Sequence, residues 1–375
     1  MSHVVIAPDK FKGTLTAAQV AASVAAGLDR VRPGLATVQV PIADGGDGTV
    51  DAAQAAGYRR VEMGVRGPTG QATTAAFALS EGTAIIESAQ ACGLSKLPDG
   101  VTAPLTASSR GVGELILAAV RMRARRIVVG LGGVASTDGG AGLVTALGAR
   151  LLDESGTEIP PGGAALARLH RIDVSRLKDL SGTEVVAAID VDNPLLGPNG
   201  AAAVYAPQKG ATPEDVACLE DGLSRWADVA EGALGRVSRQ KPGAGAAGGL
   251  GFAALAFLGA TIRPGSELML DARSVTRHLS GARLVVTGEG ALDHQSLRGK
   301  APVGVARAAA ATAPDLPVVA VTGVCSLTAA ELRSVGISAA YALADIEPDL
   351  DRCREQAGPL LEEAAGLLAR DWIAP

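Results

Sequence analysis

Both ends of the chain repeat one pattern, a short apolar run followed by an amphipathic or Ala-rich stretch. This alternation constrains the fold more than any other feature. Near the N-terminus the runs 3–7 and 37–42 predict strands, and the stretches 16–30 and 48–56 predict helices. Near the C-terminus strands are predicted at 284–287, 317–322 and 339–343, with helices at 303–311, 328–335 and 356–368. Apolar runs alternating with helical stretches read as buried parallel strands, because parallel neighbours are joined by crossover helices. The interior is richer in Gly and Thr, with strands predicted at 84–88, 126–130, 185–189 and 202–205 and an Ala-rich helix at 113–123. The expected fold is therefore α/β with two domains. A Rossmann-like parallel-sheet domain is formed by both chain ends, residues 1–62 and 282–375, and a second α/β domain, residues 63–281, is inserted into it.

Composition removes several function classes. Aromatic residues are only 2% of the chain, so stacking platforms for bases are nearly lacking, and 34 basic against 39 acidic residues give a net charge of −5 with no long block of either sign. Neither nucleic acid nor an acidic membrane surface is an expected partner. Cys92, Cys218, Cys325 and Cys353 form no C-x-x-C pair and the histidines no H-x-x-x-H spacing, which argues against a zinc site or a disulfide framework. Residues 242–262 carry no charge and approach the length of a membrane span, but the first half is almost all Gly and Ala, which contribute little transfer energy. A glycine loop running into a buried helix at about 252–258 is the expectation there. The N-terminus reaches charge at Asp9 without a long apolar segment, so a cytoplasmic location is expected.

Glycine patterns alone decide little in a chain with 48 glycines. Residues 130–135, GLGGVA, follow a predicted strand and fit the dinucleotide fingerprint, but the loop runs on as STDGGAG instead of entering a helix, and 243–248 fit the same pattern with no strand before them. A Walker A loop is excluded, because Gly299-Lys300 is followed by Ala301 and the first glycine position holds His294.

More informative are loops at predicted strand ends that pair glycines with carboxylates or cations: Asp9, Lys10 and Lys12 after the first strand, Asp44 and Asp47 within ADGGDGT, and Asp293, Gln295, Ser296, Arg298 and Lys300 after the strand at 284–287. In open parallel sheets, ligands lie beyond the carboxyl ends of the strands. Backbone N–H groups beside glycines cradle phosphate, carboxylates hold Mg2+ or take a hydroxyl proton, and cations neutralise transferred charge, so the combination points to phosphoryl transfer. Each acid alone reads equally well as a turn or helix cap. It is the recurrence that favours chemistry.

Eight ordered motifs resemble those of the bacterial glycerate kinases that phosphorylate the 2-hydroxyl. They are IAPDKFK at 6–12, ADGGDGT at 43–49, SRGVGE at 109–114, GGVASTDGGAG at 132–142, DVDNPL at 190–195, APQKG at 206–210, PGAGAAGG at 242–249 and GEGALDHQSLRGK at 288–300. Three positions depart from the common pattern: Lys10 replaces Ser, Asp47 replaces Glu and Ile189 replaces Cys. The resemblance implies an enzyme that phosphorylates D-glycerate at carbon 2, with ATP and Mg2+ as cofactors and both substrates in a cleft between domains. On that footing Arg110 and Lys12, with Asp9 and Asp44, are expected to bind glycerate. Asp190 and Asp293 are expected to hold metal or accept the hydroxyl proton, and Lys300 and Lys12 to act in catalysis. Gly132, Gly133, Ser136, Asp138, Gly139, Lys209, Gly243, Gly245, Gly248 and Glu289 are expected around ATP. Two other classes, a nicotinamide dehydrogenase and a non-catalytic binding regulator, are distinguished by whether ADP appears when glycerate is added.

Overall fold

The computed structural model describes residues 2–43, 45–265, 275–298 and 300–373. The chain divides into two compact units, one made of Met1–Asp44, Asp51–Gly57 and Pro264–Pro375, the other of Gly45–Val50 and Tyr58–Arg263. These divisions fall at 57/58 and 263/264 where the sequence places them at 62/63 and 281/282. The strand Arg59–Arg66 pairs along its length with Ala72–Ser80, which carries residues 59–62 into the second unit.

The first unit holds a five-stranded sheet, all parallel, in the order Ala339–Ala342, Val318–Cys325, Ala282–Leu292, His3–Pro8, Thr37–Gln39. Numbered along the chain this is the doubly wound order 2-1-3-4-5, which reverses between His3–Pro8 and Ala282–Leu292. Ile6, Val286 and Val319 are in register and pack on the helices Ala17–Val31 and Ala357–Trp372. The alternate residues Val5, Val285 and Val318 are buried as well, on the face covered by the helix Ala301–Thr312. The helix after Thr16 starts on a capping box: Gln19 N donates to Thr16 Oγ1 at 3.2 Å, and Thr16 N to Gln19 Oε1 at 2.9 Å.

One prediction fails instructively here. The stretch Gly288, Glu289 and Gly290 reads as loop in the sequence but is strand, because Val318–Cys325 keeps pairing past Thr287, with Glu289 opposite Thr322 and Leu292 opposite Cys325. A side chain at Gly288 would strike the Val321 carbonyl, so the missing Cβ permits the close approach rather than a turn.

The second unit has a six-stranded mixed sheet. Thr261–Arg263, Glu184–Ala188, Arg126–Gly130 and Thr83–Glu87 run parallel, and Ala72–Ser80 and Arg59–Arg66 complete it as an antiparallel edge. The predicted strand at 202–205 is the helix Ala201–Tyr205. Its alanines are strong helix formers, and Ala201 and Ala202 are fully buried where it packs on the helices Pro213–Leu234 and Ala246–Phe257. The uncharged segment 242–262 becomes core. Within it Phe252 meets Trp226 edge-on at 6.2 Å and Phe257 stacks on Trp226 at 5.3 Å. Among the described residues no helix is long and apolar enough to cross a membrane.

Candidate functional site

In the first unit the reversal of strand order opens the carboxyl ends of His3–Pro8 and Ala282–Leu292 side by side, the position where doubly wound sheets bind ligands. Asp9 follows the first of these strands. It is buried, accepts the Lys10 N–H at 2.7 Å, and has Lys10 Nζ at 3.8 Å; Lys12 stands exposed beyond buried Phe11. On the second strand Glu289 is 7% exposed, and its Oε1 is buried without a hydrogen-bond partner. Lys300 Nζ lies 3.4 Å from Glu289 Oε2 and 3.8 Å from Asp293 Oδ1, so one cation serves two carboxylates.

The two acids are tuned apart. Burial raises the Glu289 carboxyl above its ordinary range, against the pull of Ser296 and Lys300. Burial pushes Asp293 up as well, but the Ser296 N–H, Lys300 and the Gln295 N–H together outweigh it and hold the carboxyl below its ordinary range. Those amides reach Asp293 Oδ1 at 3.1 and 2.8 Å, so this acid organises the turn as well as facing the lysine. Lys300 is the N-cap of the helix Ala301–Thr312, with proline in its first turn. A flexible ammonium at the head of a three-turn helix adds its charge to the positive end of the helix dipole, a combination suited to phosphate.

In the second unit the ends of four parallel strands form another polar edge. Glu87 ends one strand and is 3% exposed, while Asp190 is exposed just past another. The segment Gly45–Val50 lies against the ends of Arg126–Gly130 and Glu184–Ala188. A Cβ at Gly132 would come 2.8 Å from Gly46 Cα, and one at Gly133 2.7 Å from Asp47 Oδ1. Arg110 opens the helix Arg110–Arg121, exposed, with Nε 3.3 Å from Glu114 Oε1.

The remaining residues expected around ATP are engaged with one another. The Asp138 carboxylate accepts Ser109 N at 2.8 Å, Ser109 Oγ at 2.9 Å and Gly142 N at 3.1 Å on Oδ2, and Gly140 N at 3.1 Å on Oδ1. Lys209, 3% exposed, donates to Ser136 O at 2.6 Å and reaches Thr137 Oγ1 at 3.4 Å; burial pushes its ammonium down to about 8. Ser136 Oγ in turn lies 3.5 Å from Cys92 Sγ, whose thiol burial pushes up to about 11. Gly139 N donates to Gly248 O at 3.0 Å, so the two glycine loops bind each other. Gly243 and Gly245 give room to Ile262 and to the Pro194 carbonyl. Asp44 lies outside the described residues. Among the described residues no three His, Cys, Asp or Glu side chains gather to hold a metal.

Glu87 is the residue that the sequence reading passes over. Its one signal is an acid closing the apolar run Thr83–Glu87, where a buried strand has no use for charge.

A doubly wound sheet whose switch point carries a lysine at a helix N-terminus beside two carboxylates defines an α/β enzyme equipped to handle anionic groups. Comparison with known proteins makes this specific. The model of the glycerate kinase family matches residues 4–373. The chain is 43% identical over 366 residues to a glycerate kinase of Bacillus subtilis, covering 96% of this chain and 95% of that one. It is also 43% identical over 348 residues to the glycerate 2-kinase of Escherichia coli, covering 91% and 90%. A solved structure from Salmonella typhimurium LT2, provisionally assigned as glycerate kinase 2, superposes with a TM-score of 0.82 at 39% identity, covering 100% of both chains. The chain belongs to the glycerate kinase family and is a kinase.

Proposed function

We propose that the enzyme transfers the γ-phosphoryl group of ATP to the 2-hydroxyl of D-glycerate, giving 2-phospho-D-glycerate and ADP. The observation that carries this reading is Lys300, set at the head of a helix at the switch point with Glu289 and Asp293 within 4 Å. In the reaction the hydroxyl oxygen bonds to the γ-phosphorus as that phosphorus loses its bond to the oxygen bridging to the β-phosphate, which leaves with ADP, and the hydroxyl proton passes to a carboxylate, Asp190 or Asp293. Lys300 offsets the charge gathering on the transferred oxygens. Asp190 and Asp293 are the proposed acids for proton and metal, and Arg110 the proposed partner of the glycerate carboxylate. The residues fit Mg2+ carried in with nucleotide: the ion usually takes one or two carboxylates and completes its shell with phosphate and water, and the unsatisfied Glu289 Oε1 beside Asp293 offers such a pair. Bound there, it supplies charge neutralisation across the phosphates.

Purified protein given ATP, Mg2+ and D-glycerate is expected to release ADP, and adding enolase without phosphoglycerate mutase is expected to yield phosphoenolpyruvate, since only the 2-phosphate is dehydrated. No ADP above the glycerate-free control sinks the kinase reaction. Phosphoenolpyruvate that waits for mutase reassigns the product to carbon 3. A separate expectation concerns Arg110. Replacing it with methionine should lower kcat/KM for glycerate by on the order of a hundredfold, roughly the 3 kcal/mol of a charge-assisted pair, with the KM for ATP little changed. Unaltered glycerate kinetics would remove Arg110 from the carboxylate site.

A further inference from the structure

We propose that Glu87 is a positioning residue that latches the segment Gly45–Val50, and with it Asp47, onto the strand ends of the second unit. The segment groups with the second unit, although the chain on either side of it groups with the first. Gly45, Gly46 and Gly48 supply half of the segment, with Gly45 and Gly48 at left-handed φ angles of +87° and +91°, and within it Thr49 N and Oγ1 donate to Gly46 O at 3.2 and 2.6 Å. That turn spans only Gly46 to Thr49, and further restraint comes from beneath the segment.

Two features supply it. The first is a bed of bare backbone: side chains at Gly130, Gly132 or Gly133 would run into Gly45, Gly46 and Asp47 in turn. The second is Glu87, whose Oε2 accepts the Val50 N–H at 3.1 Å from beneath the far end of the segment. Gln90 Nε2 approaches its other oxygen at 3.5 Å. Burial pushes the Glu87 carboxyl above its ordinary range and the charge of Asp47 adds to this, while the N–H groups of Val50 and Gly48 work against both. No ion pair to Glu87 is found among the described residues, so its burial is compensated by segment amides and one side-chain amide, and not by a cation. Burying an acid without a cation carries a desolvation cost that these hydrogen bonds offset, so the carboxyl and the segment amides hold each other in place. What it holds is the register of the segment that brings Asp47 over Gly133. Phosphoryl transfer depends on placement to a fraction of an ångström, so a loosened segment should slow turnover before it weakens binding.

The kinetic arm of the test rests on the kinase reading; the exchange arm does not. Glu87→Ala and Glu87→Gln are compared in the full chain by hydrogen–deuterium exchange over 45–50, by kcat and KM for both substrates, and by melting. In Glu87→Ala the segment should exchange at least tenfold faster and kcat should fall about thirtyfold, with each KM within about threefold. Glu87→Gln keeps an acceptor for Val50 N–H and should retain slow exchange and most of the turnover. Should Glu87→Ala not fold, Gly132→Ala crowds Gly46 from the opposite side and should produce the same fast exchange and slow turnover. Slow exchange over 45–50 in the alanine variants overturns the latch, as does a glutamine variant as impaired as alanine. If the wild type makes no ADP, the kinase reading fails and exchange alone decides the latch.

Discussion

Replacing Lys300 with methionine is expected to lower kcat by about a thousandfold and leave the fold standing. The side chain is 31% exposed, so its loss opens no cavity in the core, and the helix behind it carries in its first turn Pro302, which needs no N–H partner. Glu289 and Asp293 both face this cation, so its loss leaves two carboxylates without the charge they share. A donor aimed at developing charge is worth on the order of a hundred- to a thousandfold in rate, and a cation on a transferred phosphoryl group reaches the upper end. Losing Lys300 should also push the Glu289 carboxyl further up, since the lysine is one of the groups restraining it. Steady-state kinetics with a melting curve decide the matter. Wild-type turnover in the variant would leave Lys300 a surface partner for two acids.

The second large effect is one of stability. Gly139→Ala should cost about 3–5 kcal/mol, adding the strain of a left-handed residue to a clash in a packed core. The φ at Gly139 is +62°, and its Cβ would lie 2.5 Å from Trp226 Cδ1 and 2.8 Å from Nε1. Trp226 has nowhere to go. It is fully buried, donates to Gly139 O at 3.0 Å, and is sandwiched by contacts with Phe252 and Phe257. Gly156 is the control, at φ +81° with nothing within 4 Å, where alanine should cost only about 1 kcal/mol. Equal losses in denaturant unfolding would show that Trp226 yields.

The contrast between those two glycines shows what a sequence can convey. The helices after Thr16 and Thr328 are legible because a hydroxyl followed three residues later by Gln or Glu signals its own cap. The parallel strands of the first unit are legible because apolar runs alternate with helices. The segment Ala201–Tyr205 is not, since three alanines, a valine and a tyrosine suit a strand or a helix until their neighbours are known. Nor is the hairpin Arg59–Arg66 with Ala72–Ser80, whose polar outward face obscures its period. At the candidate site the motifs mark the right loops but not the duty of each residue. The runs 132–142 and 242–249 read as cradles for phosphate, and the sequence does not disclose that Asp138 accepts from Gly140, that Lys209 donates to Ser136, or that Gly139 donates to Gly248. Glycine reads the same whether it admits a ligand or a tryptophan, and a lysine does not announce its burial.

The sheet of the first unit also sets a timetable for synthesis. Its central strand, Ala282–Leu292, pairs with His3–Pro8 on one side and Val318–Cys325 on the other. A ribosome adding roughly 5–20 residues per second delivers that strand on the order of ten to fifty seconds after the N-terminal strands have emerged. In the interval the stretch Tyr58–Arg263 can assemble as a continuous piece, while the apolar edge of His3–Pro8 waits beside it without its partner. The nascent chain is thus a finished domain trailing an unfinished one, and its period of greatest exposure to aggregation and chaperones ends only when the last quarter of the polypeptide arrives.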